Sequence, residues 1–174
     1  DSETTPDGVG GVQIAGMGQL DSADVVDLEG SDLFADAGGV ESVQIDDGGA
    51  SVDQVVAVGS VAISSGAGAP ANADVEINGQ ITVTNAASTI SITANDDVVF
   101  GANGDLNGAN GTITVTADGN ASSAGAVTME EGATINAAAG LIDIDAENNV
   151  TLGALVTTGE VQITSTSGAI VDAA

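Results

Sequence analysis

The side chains of this chain that can hold a ligand do so through oxygen. The densest set lies between residues 96 and 107, where Asp96 and Asp97 precede Asn103-Gly104-Asp105-Leu106-Asn107-Gly108. Oxygen donors at alternate positions, with glycine at the sharp turn, match the opening of a calcium-binding loop. Asp96, Asp97, Asn103, Asp105 and Asn107 are therefore the candidate calcium ligands, and calcium is the candidate cofactor. The match is partial: Asn103 replaces the opening Asp, and Thr114 stands where a bidentate Glu would close the loop. The competing reading is a polar, glycine-rich corner between strands. Glu130, Glu131 and the row Asp143, Asp145, Glu147 read as solvated acidic faces that bind cations weakly.

Catalytic chemistry has little to work with. His, Cys, Lys and Tyr are all absent, so the usual bases and nucleophiles are missing, and no Arg can clamp an anion. Carboxylate pairs of the glycosidase kind remain. Sugar-stacking aromatics do not, since Phe34 and Phe100 are the only aromatic residues. The expectation is a protein that is not an enzyme.

The charge balance bounds the partners. There are 26 acidic residues and no basic ones, a formal net charge of -26. Nothing in the side chains can neutralise a phosphate backbone or an anionic lipid headgroup, which excludes nucleic acid and anionic membrane surfaces. Apolar residues still make up 43% of the 174, and mean hydropathy is +0.28, unlike a solvated acidic tail. Those apolar residues are Ala, Val, Ile and Leu, which suit a narrow core of aliphatic ladders. Without Cys there are neither disulfides nor thiolate metal sites. No apolar run approaches the length of a membrane span and no signal peptide is expected; if the chain is secreted, Asp1 would be a plausible processed end.

What must position the oxygens is a set of short strands. Ile-Thr-Val-Thr occurs at 81–84 and 113–116, Ile-Ser-Ile-Thr at 90–93, Ile-Asp-Ile-Asp at 142–145 and Val-Gln-Ile-Thr at 161–164. Apolar and small polar residues alternate in each, the signature of a half-buried strand. Imperfect recurrence every twenty to thirty residues or so announces a solenoid. Glycine, Asn and Asp between the runs make corners for a chain that keeps winding one way, with few tight hairpin turns. The expected fold is all-β, a parallel β-helix. A β-sandwich completed by a donated strand is the alternative, and would pair its strands antiparallel.

Two regions are expected. Residues 1–54 form an acidic, glycine-rich N-terminal region of arm and short strands, and residues 55–174 a β-solenoid repeat region. Thirteen of the 26 acids fall within residues 1–53. Residues 12–15, 40–45 and 55–63 read as strands, the last as one apolar run. Residues 21–34 fit neither a clean helix nor a clean strand, and residues 64–73 are linker-like around Pro70.

The segment at 140–149 (GLIDIDAENN) together with 150–173 (VTLGALVTTGEVQITSTSGAIVDA) resembles the repeats of large bacterial surface proteins of the filamentous-haemagglutinin type. The resemblance covers about residues 79–174. It implies a secreted or cell-surface protein with a right-handed β-helix stalk, and an adhesin role. The lack of Lys and Arg departs from many such stalks. Residues 168–174 continue the repeat without a polar cap, so the expectation is either a cut from a longer stalk or an end that docks on another subunit.

The function expected is a structural subunit or segment of an extracellular filament or surface layer, joined end to end through strand edges. Its partners would be copies of itself, with other surface proteins or glycans as further candidates, and cations or salt would assist assembly. A monomeric adhesin stalk binding through loops 64–73 or 101–110 is the alternative. Thr82, Thr84, Thr112, Thr114 and Thr116 also suggest an ice-binding array, although outward Thr is ordinary strand chemistry. The acceptor triplets at Asn110, Asn120 and Asn149 fit N-glycosylation, a pattern common by chance in such sequence.

Overall fold

The computed structural model describes residues 12–14, 25–28, 32–36, 42–46, 50–57, 59–64 and 74–174. Before residue 58 only the backbone is described, apart from the buried side chain of Val55. The expectations for residues 64–73 fall, apart from Ser64, outside the described residues.

Every element among these residues is a strand. In chain order they are β1 (Val12–Ile14), β2 (Val25–Leu28), β3 (Asp32–Asp36), β4 (Ser42–Asp46), β5 (Ala50–Ala57) and β6 (Val61–Ser64). Then come β7 (Val75–Val83), β8 (Ile90–Thr93), β9 (Val98–Phe100), β10 (Asp105–Asn107), β11 (Ile113–Thr116) and β12 (Val127–Met129). The last six are β13 (Thr134–Ala138), β14 (Ile142–Ala146), β15 (Val150–Leu152), β16 (Ala154–Thr157), β17 (Val161–Ser165) and β18 (Ile170–Asp172).

Every strand pairing among them is parallel. One sheet of seven strands runs β17, β14, β11, β8, β6, β4, β2. The other, of eleven, follows β1, β3, β5, β7, β9, β12, β15, β18, with β10, β13 and β16 on a branch from β7. The chain therefore makes repeated circuits: one strand in the smaller sheet, then one (β3, β5 or β7) or, from β9 onward, two in the larger, then back to the smaller sheet one place along. Along one path Val75, Val98, Val127, Val150 and Ile170 are in register, at spacings of 23, 29, 23 and 20 residues. Such in-register parallel pairing is consistent with a β-solenoid.

Side-chain alternation turns that register into a core. In β8, β11 and β14 every second residue is buried, so Ile90, Ile113 and Ile142 stack in one column and Ile92, Val115 and Ile144 in the next. In the larger sheet Ile77, Phe100 and Met129 form one column, and Ile81, Leu106 and Ile135 another. All of these are at most 1% exposed. Burying one such side chain contributes roughly 1.5–3 kcal/mol, which is how a core with one described aromatic holds together.

Several strand limits differ from the sequence reading. Residues 55–63 are not one strand: β5 ends at Ala57, and a corner at Gly59 and Ser60 precedes β6. Conversely, Val75–Val83 is one strand, because Asn78 and Gly79 do not turn the chain. The register against β5 shifts between Val52 and Gln54, so the extra residue of β7 is absorbed as a bulge. Residues 21–34 yield β2 and the start of β3. Residues 105–107 and 154–157, read as punctuation or passed over, are strands β10 and β16. The strand β5 spans the point where acid density falls, and β1 to β4 lie in the same two sheets as the rest.

Candidate functional site

The corner before the strands of the β7, β9, β12, β15, β18 path holds a side-chain oxygen acceptor at three of its five positions. The residues at this corner are Asp74, Asp97, Ala126, Asn149 and Ala169. Asp74 Oδ1 accepts from the Asp97 backbone N–H at 3.1 Å, Asp97 Oδ1 from Ala126 N–H at 2.7 Å, and Asn149 Oδ1 from Ala169 N–H at 2.9 Å. Each side chain thus caps the backbone of its equivalent one circuit later. The same direction recurs elsewhere: Ser60 Oγ accepts from Thr89 N–H, Asp105 Oδ1 from Thr134 N–H and Asn110 Oδ1 from Ala139 N–H. These oxygens are structural acceptors. Among the described residues no buried side-chain nitrogen or oxygen lacks a hydrogen-bond partner.

The candidate calcium ligands divide between two places. Asp96 and Asp97 sit at the corner before β9, beside Asp74 and Asp118. Burial and then the charges of Asp97, Asp74 and Asp118 raise the Asp96 carboxyl above its ordinary value. Asn103 is exposed in the turn between β9 and β10. Asp105 and Asn107 are not in a loop: they flank buried Leu106 within β10, level with Gln80 and Thr82 of β7. An extended strand sends alternate side chains to one face rather than wrapping them round an ion. The three residues of β9, roughly 10 Å of strand, separate the two groups. Among the described residues no group of three or more His, Cys, Asp or Glu is arranged to hold a metal ion.

Glu130 and Glu131 lie one circuit further on, at the turn after β12, where Glu130 Oε2 accepts from Ala102 N–H at 3.1 Å. Asp143 and Asp145 occupy the outward positions of β14. The Asp143 carboxyl is raised by burial, then by Asp145 and Glu160. On this outward face the register aligns Ala62, Ser91, Thr114, Asp143 and Gln162 in one column and Ser64, Thr93, Thr116, Asp145 and Thr164 in the next. The hydroxyl array therefore spans only β8 and β11 fully, with Ser64 at its margin. Thr82 lies on a different face, in β7.

The corner at 117–125 carries the most unusual backbone. Asp118 (φ 65), Ala121 (φ 56) and Ser123 (φ 67) are all left-handed. Asp118 offsets the strain, accepting from the Ser122 hydroxyl at 2.9 Å and from Ser123 N–H at 3.1 Å. Of the three acceptor triplets, Asn120 lies in this exposed corner, and Asn110 and Asn149 are exposed but use Oδ1 to cap the next circuit.

The sequence reading missed the capping role of the acids. Its signal is local: Asp74, Asp97, Asn149 and Ser60 each stand immediately before a valine that opens a strand. The chain matches no family model, and neither curated proteins nor solved structures give a significant match.

Proposed function

We propose that the chain is a non-enzymatic structural segment of an extracellular filament or surface layer, built as a right-handed β-solenoid. The handedness follows from the rule that parallel strands joined by a crossover wind right-handed in nearly all proteins. The observation that carries the function is the in-register parallel stacking of circuit on circuit, in which Ile90, Ile113 and Ile142 continue one buried aliphatic column. Each circuit offers the next the same parallel backbone edge and the same apolar column. Stacking of this kind does not close on itself, so it suits rods and filaments. The resemblance of residues 79–174 to surface-stalk repeats agrees with this reading, and so does a surface without basic side chains.

Repulsion sets the conditions. A rod carrying a net charge of -26 per chain repels its neighbours unless salt or divalent cations screen it. Negative-stain microscopy with calcium, with salt and with chelator at low salt tests the proposal. Rods many times the length of one chain, favoured by calcium or salt, are expected. Single short particles under every condition would leave the monomeric adhesin stalk, a reading favoured by the exposed, hydrogen-bonded corner at 117–125.

A further inference from the structure

We propose that Asn120 is the acceptor for an N-linked glycan, and that the fold selects it over the two other acceptor triplets of the chain. The proposal goes beyond the rod reading and requires only that the folded chain meets a glycosyl donor.

The corner itself carries the first argument. By register, Thr93, Thr116 and Asp145 are equivalent, and so are Val98, Val127 and Val150. Four residues link these positions in the circuits on either side, 94–97 and 146–149, whereas ten link them here, 117–126. The circuit thus gains six residues at one corner, and residues 119–123 are all exposed. The base of this loop is stitched to both neighbours. Asp118 N–H donates to the Asp96 carbonyl, Gly119 N–H to that of Ala94, and Asn148 N–H to that of Gly125. Beyond the base, the N–H groups of Ala121, Ser122 and Ser123 donate within the loop, to Asp118 and Asn120. The triplet Asn120-Ala121-Ser122 therefore stands on a surface loop, the setting that N-glycosylation needs.

The other two triplets run straight into the sheets. Asn149 is followed by Val150, fully buried, and by Thr151, both in β15 with register partners on either side. Asn110 is followed by Gly111, where a Cβ would overlap the Ser88 carbonyl oxygen, and by Thr112, whose carbonyl accepts from Ile90 N–H. Both asparagines direct Oδ1 to the next circuit, at Ala139 and Ala169, whereas Asn120 Oδ1 accepts from Ser122 N–H inside its own loop. A transferring enzyme must hold all three residues of a triplet. At Asn110 and Asn149 that requires local opening of a sheet; at Asn120 it requires only the rearrangement of a loop.

The step is a transfer from a glycosyl diphosphate. Asn120 Nδ2 bonds to the anomeric carbon of the sugar, and the bond from that carbon to the diphosphate oxygen breaks. The diphosphate leaves with the electron pair, and Nδ2 gives up one proton to a base of the enzyme. The product carries a bulky hydrated group on the flank of the stack, clear of the buried columns.

Incubation of the folded 174-residue chain with an oligosaccharyltransferase and its lipid-linked oligosaccharide tests this, read by intact mass and peptide mapping. One glycan per chain is expected, at Asn120, with transfer at least about tenfold faster than at Asn110 or Asn149. N120Q, checked for folding by circular dichroism, should lose that added mass. Synthetic peptides spanning the three triplets should not show the preference, because the fold is what excludes the other two. No transfer to Asn120 in the chain, or transfer to Asn110 or Asn149 at a comparable rate, overturns the assignment. The same preference among the peptides overturns the part given to the fold. Neither result touches the rod reading, which microscopy tests separately.

Discussion

The Asp97 carboxylate accepts a hydrogen bond at 2.7 Å from the backbone N–H of Ala126, the residue one circuit further along the same corner. An acid that looks in the sequence like a solvated charge is therefore a clamp between successive circuits. The Ala126 N–H is partly buried and points at this carboxylate. D97A leaves it without its acceptor and should destabilise the fold by about 1–3 kcal/mol. D97N keeps a side-chain oxygen in place, as Asn149 does for Ala169, and should lose far less. Urea unfolding of the two variants separates the roles of shape and charge.

The corner before the smaller sheet stacks backbone directly on backbone. A Cβ on Gly111 would overlap the Ser88 carbonyl oxygen, one on Gly140 the Gly111 carbonyl oxygen, and one on Gly159 would lie 2.5 Å from that of Gly140. Close approach, not an unusual φ, is what demands glycine in this column. G140A should cost about 1–3 kcal/mol through forced displacement of the circuit below. G119A, in the exposed corner, meets the Thr93 methyl at 2.7 Å and the Ala94 carbonyl oxygen at 3.1 Å, a looser approach to backbone, and should cost less. Thermal melts of the pair make the comparison.

Phe100 and Val99 are neighbours in β9 with opposite fates. Phe100 is fully buried between Ile77 and Met129, while Val99 sits on the outer face. F100A should destabilise by about 3–5 kcal/mol, and V99A by about 0.5 kcal/mol or less. Chemical denaturation that gave equal losses would contradict the assigned faces.

Asp143 makes stability depend on pH in an unusual direction for an acid. Burial, then Asp145 and Glu160, raise its carboxyl above the ordinary value. The folded chain therefore binds this proton more tightly than the unfolded chain does. Its unfavourable contribution is fully present above the folded pKa and fades as pH falls through that value toward the ordinary carboxylate range. D143N should raise the melting temperature at neutral pH by roughly 1–2 °C and flatten its dependence between about pH 4 and 7. A D143N melting curve that tracks the parent at every pH would remove Asp143 from the account.

The sequence by itself determined the strands and their faces, because alternation at period two is written into neighbouring residues: Ile113 and Val115 had to share a side, and so did Thr114 and Thr116. It also determined that no side-chain salt bridge holds the fold, since a chain without Lys, Arg or His has none to make. Only the tertiary structure decided which strand lies beside which. Those pairings join residues 17 to 29 apart, and nothing local distinguishes a 23-residue circuit from a 29-residue one. For the same reason the hydrogen bonds that Asp97 and Asp105 accept from the next circuit could not be read from the sequence. Whether a carboxylate meets water, an ion or the N–H of the next circuit depends on what the stacking brings to its oxygen.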